Sequence, residues 1–69
     1  MDNFKVRIVR LGLKQKDIAE EISDERMKIY LPDLNRIVNG KAKNRPSDTQ
    51  ILVRLDRYLT AIEKERGIR

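Results

Sequence analysis

Leu13-Lys14-Gln15-Lys16-Asp17-Ile18-Ala19-Glu20-Glu21-Ile22, then eight intervening residues, then Leu31-Pro32-Asp33-Leu34-Asn35-Arg36-Ile37-Val38-Asn39-Gly40: this stretch decides how the chain folds. Both halves place apolar residues at helical spacing, Ile18, Ala19 and Ile22 in the first and Leu34, Ile37 and Val38 in the second. The first helix opens near Lys14 or Gln15, with Asp17 close to its positive end. Pro32 fits the first turn of the next helix, where its missing N–H costs nothing, and Asp33 complements the dipole. Asn39-Gly40 stops that helix in the left-handed cap glycine favours. A basic run of Lys41, Lys43 and Arg45 follows directly.

Outward from this centre, Phe4, Ile8 and Leu11 recur at i, i+4 and i+7 with Val6 and Val9 beside them. They predict a helix from about Asp2 to Leu11, stopped at Gly12, with Lys5, Arg7 and Arg10 facing outward. Residues 23–31 admit two readings. Either the second helix continues through Met27, or the segment is a loop pinned by Met27, Ile29 and Tyr30. Ser47-Asp48-Thr49-Gln50 reads as a capping box that starts a fourth helix at Ser47. Ile51, Leu55, Tyr58, Leu59 and Ile62 form its inner face, with Leu52 at the margin, and Gly67 stops it after about Arg66. The expected architecture is one all-α domain over 1–69, with helices at about 2–11, 14–23, 32–39 and 47–66.

A chain of 69 residues buries only about 60% of its unfolded surface, so the core is small. It contains neither cysteine nor histidine, which removes disulfides, zinc fingers, Ser-His and Cys-His nucleophilic pairs and imidazole acid–base chemistry. The expectation is a non-enzyme with no cofactor, no metal and no small-molecule ligand. Ile51-Leu52-Val53 is the longest apolar run and the N-terminus lacks a signal-peptide core, so no membrane partner and a cytoplasmic location are expected. The net charge of +5 is segregated: +4 over 1–16, −5 over 17–25, +5 over 26–45 and +1 over 46–69. One basic face is the arrangement that neutralises phosphates, although an uneven solvated surface gives the same sums.

The residues quoted above resemble the helix-turn-helix domain of the Cro/repressor (XRE-like) family. There a Leu-Thr-Gln-x-x-Leu-Ala segment opens the second helix, matched here by Leu13-Lys14-Gln15-Lys16-Asp17-Ile18-Ala19. The family's third helix ends Ile-Ser-Arg-Ile-x-Asn-Gly-Lys, matched by Leu34-Asn35-Arg36-Ile37-Val38-Asn39-Gly40-Lys41. The likeness covers roughly 4–62 and implies a compact, lambda-repressor-like four-helix domain, such as a small phage or mobile-element regulator carries. It implies that Ala19 is small because the third helix crosses there, that Gln15 and Lys14 meet a phosphate, and that Arg36 reaches guanine edges. Asn35 is placed to meet a base or a phosphate, while Asn39, Lys41, Lys43, Asn44 and Arg45 anchor the backbone. Two departures stand out. Eight residues separate Ile22 from Leu31 where the family has about three, and Leu31-Pro32-Asp33 stands where readers carry hydrogen-bonding side chains.

Two functions follow as expectations. The first is a DNA-binding transcriptional regulator, presenting 32–39 to the major groove of double-stranded DNA with the 41–45 loop on phosphates. It would gain specificity as a homodimer, for which Val53 on the otherwise polar side of the fourth helix offers the face. The alternative is a protein-binding adaptor or antirepressor on the same scaffold, using an apolar patch of Leu31 and Val38.

Overall fold

The computed structural model describes residues 3–67. Four helices account for the regular structure of these residues: α1 Phe4–Leu11, α2 Gln15–Ile22, α3 Leu31–Val38 and α4 Pro46–Arg66. The expected four-helix all-α architecture is therefore present, and Asp2, the expected start of α1, lies outside the described residues. Asn3 caps α1, its side chain accepting from Val6 N at 3.2 Å.

The three short helices pack on α4. Ile8 and Leu11 of α1, Ile18, Ala19 and Ile22 of α2, and Leu34, Ile37 and Val38 of α3 meet Ile51, Leu55 and Leu59 of α4. Ile29 joins this core from the segment before α3, and Phe4, Leu13, Met27, Leu52, Tyr58 and Ile62 pack at its edge. No described helix is long and apolar enough to cross a membrane.

Arg7 does not face outward. It shares the inner face with Phe4, Ile8 and Leu11, because i, i+3, i+4 and i+7 form one stripe. Buried there, its Nε and Nη2 donate to Glu63 at 3.1 and 2.7 Å, Nη1 to Asp56 at 3.0 Å and Nη2 to Thr60 at 3.2 Å. The guanidinium also lies over the Phe4 ring, 5.6 Å from its centroid. Val9, by contrast, is 71% exposed.

The α4 start also differs from the sequence reading. Pro46 occupies the first turn, Arg45 is the cap residue, and no side chain caps the end, so the Ser47 box does not form. Proline supplies a helical φ without an orphan N–H, and the Asp48 carboxylate is engaged elsewhere. Gly67 ends the helix as expected.

The second helix does not run on to Met27. Residues 23–30 form an irregular strap held by its own polar groups. Asp24 Oδ1 accepts from Arg26 N at 2.9 Å and Met27 N at 2.8 Å, and Asp24 N donates to Met27 O at 2.9 Å. Ser23 Oγ accepts from Ile29 N at 2.8 Å and donates to Ala19 O. Arg54 of α4 clasps the strap, donating to Ile22 O at 2.8 Å and pairing with Asp24 at 2.9 Å. These partners, the Met27 N–H foremost, hold the Asp24 carboxyl below its usual range. Of the three expected pins only Ile29 is buried; Met27 is half-buried and Tyr30 exposed.

Candidate nucleic-acid interface

The exposed side of α3 is a row of amides. Asn35 and Asn39 stand one turn apart, and Asn39 Nδ2 donates to Asn35 Oδ1 at 3.0 Å. Asn35 Nδ2 in turn donates to Gln15 Oε1 at 3.2 Å, so the row crosses from α3 to the start of α2. Ala19, small and buried, lies one turn after Gln15 on α2. Gln15 Nε2 and Asn39 Oδ1, at the two ends of the chain, remain a donor and an acceptor. Side-chain amides are the groups that match the N6/N7 edge of adenine.

Gly40 allows the basic loop to leave α3. At φ +79° it occupies backbone space that residues with a Cβ avoid, and its N–H bonds Ile37 O at 3.0 Å. Residues 41–45 are exposed, bringing Lys41, Lys43, Asn44 and Arg45 to the same end of α3 as Asn39.

Asp48 fixes this loop. Its side chain is 1% exposed and accepts four hydrogen bonds: Arg36 Nη1 at 2.8 Å, Arg36 Nη2 at 3.0 Å, Lys43 N at 2.7 Å and Arg45 Nε at 3.2 Å. The Arg36 guanidinium, with the Lys43 N–H next, holds the Asp48 carboxyl far below the usual carboxylate range, and Asp48 raises Arg36 reciprocally. Arg36 also donates to Lys41 O at 3.1 Å and approaches Asp33 at 3.6 Å. Arg36, expected at guanine edges, is here turned onto Asp48 and the Lys41 carbonyl. It is the tie that locks α3, the 41–45 loop and the start of α4 into one unit. Asp33 serves the same cluster.

Of the residues expected to meet DNA, the structure groups Gln15, Asn35 and Asn39 in one hydrogen-bonded row, with Lys14 beside Gln15 at the start of α2. Lys41, Lys43 and Asn44 share the adjoining loop, whereas Arg36 and Arg45 are engaged by Asp48. Asp48 itself was missed. It stands three residues after Arg45 and five after Lys43, inside a capping-box pattern that assigns it no role.

Val38 is buried, so the apolar patch expected to include it does not exist; Leu31 is exposed beside Tyr30 instead. No family model matches the chain, and no curated protein or solved structure matches it.

Proposed function

We propose that this protein is a helix-turn-helix DNA-binding regulator that inserts α3 into the major groove. The observation that carries this is the hydrogen-bonded Gln15–Asn35–Asn39 amide row beside a basic loop that Asp48 ties to α4 through Lys43 N. Such placement matters because a side chain that must be ordered on binding loses rotamer freedom at the cost of affinity. In this reading Asn35 and Asn39 meet base edges, Gln15 and Lys14 meet one phosphate run, and Lys41, Lys43 and Asn44 meet another. The role of Arg36 is then to position the loop.

A protein-binding adaptor is the second reading, favoured by the exposed Tyr30 and Leu31. Selection from a randomised duplex pool distinguishes the two. The regulator enriches a short motif, and Asn35→Ala or Asn39→Ala relaxes it at a single base pair. A pool that stays random after repeated rounds favours the adaptor.

A further inference from the structure

At the end of α3 opposite the basic loop, the strap and α2 border an open concavity of about 430 Å³ lined by Lys16, Ala19, Glu20, Lys28, Tyr30 and Leu31, among others. Tyr30 is 57% exposed, and the Lys28 ammonium sits 5.7 Å from the centre of its ring. Lys16 is the residue after Gln15, and Leu31 lies one turn before Asn35, so the concavity continues the amide row at its N-terminal end. Asp24 also lines it, but Arg54 pairs with that carboxylate, leaving Glu20 as the acid opposing Lys16 and Lys28.

We propose that the strap is a second phosphate-gripping element, with Lys16 and Lys28 on the DNA backbone and the Tyr30 hydroxyl donating to a phosphate oxygen. This rests on the reading of α3 as the helix that enters the major groove. The position supports it: the strap leads into the N-terminal end of α3, and the 41–45 loop leaves its C-terminal end. Cations therefore flank both ends of α3. The 41–45 loop grips one strand and the strap grips the facing one. The eight residues between α2 and α3 thus serve as a built contact. Ser23, Asp24, Ile29 and Arg54 hold the segment in place before any ligand arrives.

The test is duplex binding by fluorescence anisotropy across a salt series for the wild type, Lys16→Ala/Lys28→Ala, Tyr30→Phe and Lys43→Ala, with circular dichroism confirming that each is folded. Each lost phosphate contact should shallow the log K against log salt slope by about one unit, and at 0.1 M salt should weaken binding by about eightfold. The double variant should therefore lose about 60-fold and two units of slope. Tyr30→Phe should lose several-fold with the slope unchanged. If Lys43→Ala weakens binding while the double variant and Tyr30→Phe match the wild type, the strap lies outside the footprint and only this proposal falls. If the wild type binds no duplex, the DNA reading falls with it, and the Tyr30–Leu31 face belongs to a protein partner instead.

Discussion

Replacing Arg7 by methionine tests the buried tie between α1 and α4. The Arg7 and Glu63 side chains are 9% and 3% exposed and join through bonds of 2.7 and 3.1 Å, and Asp56 and Thr60 also accept from the guanidinium. Removing one member of such a pair leaves the other charge in a medium that solvates it poorly, at a cost of about 3–5 kcal/mol. A domain of 69 residues has about 3–10 kcal/mol of total stability, so Arg7→Met should remove much of it. Replacing both partners is different. Arg7→Met/Glu63→Leu removes both desolvation costs, Asp56 is half-exposed and turns to water, and the double variant should lie within about 1 kcal/mol of wild type or above it. Urea unfolding followed by circular dichroism at 222 nm gives all the free energies, including Glu63→Leu alone, and hence the coupling between the two residues. A coupling below about 0.5 kcal/mol, the range of exposed pairs, would refute the buried tie.

Further outcomes follow from the loop and its anchor. Asp48 has a depressed pKa in the folded state, so its contribution to stability is present above the unfolded carboxylate value near about 3.9 and fades as pH falls below it; Asp48→Asn should flatten that acid limb in thermal melts and speed amide exchange at Lys43. Arg36→Ala should weaken binding to all duplexes alike, measured by anisotropy on specific and scrambled sites, whereas Asn35→Ala should lose about 1–3 kcal/mol of discrimination at one base pair. Gly40→Ala meets no atom within 4 Å, so its cost is backbone strain alone, about 1–2 kcal/mol by urea unfolding.

Helical periodicity made the core legible. Ile18, Ile22, Leu34, Ile37, Leu55 and Leu59 all lie where their spacing placed them, and Gly40 and Gly67 end helices as their sequence positions indicated. Charged residues were harder to place. Arg7 belongs by spacing to the buried stripe, but a charge reads as solvent-facing until its partner is known, and Glu63 is 56 positions away. Arg36 is similar: its place in α3 follows from the helical period, whereas its guanidinium's direction is set by Asp48 in another helix. The strap was illegible because side-chain to backbone bonds from Ser23 and Asp24 define it, and these carry no period. Of the candidate site, the sequence showed which residues gather around α3 but not that Gln15, Asn35 and Asn39 bond to one another.

The most direct test of the central claim is the affinity of the wild-type protein for plain duplex DNA as a function of salt. Lys14, Lys41 and Lys43 supply three cations, Arg36 and Arg45 being balanced by Asp48 and Asp33, and Lys16 and Lys28 bring the number to five. At about −0.9 per neutralised phosphate, log K should fall against log salt with a slope of about −2.7 to −4.5, or at least about 40-fold between 50 and 200 mM. A flat dependence, or no binding to duplex at low salt, would contradict the account.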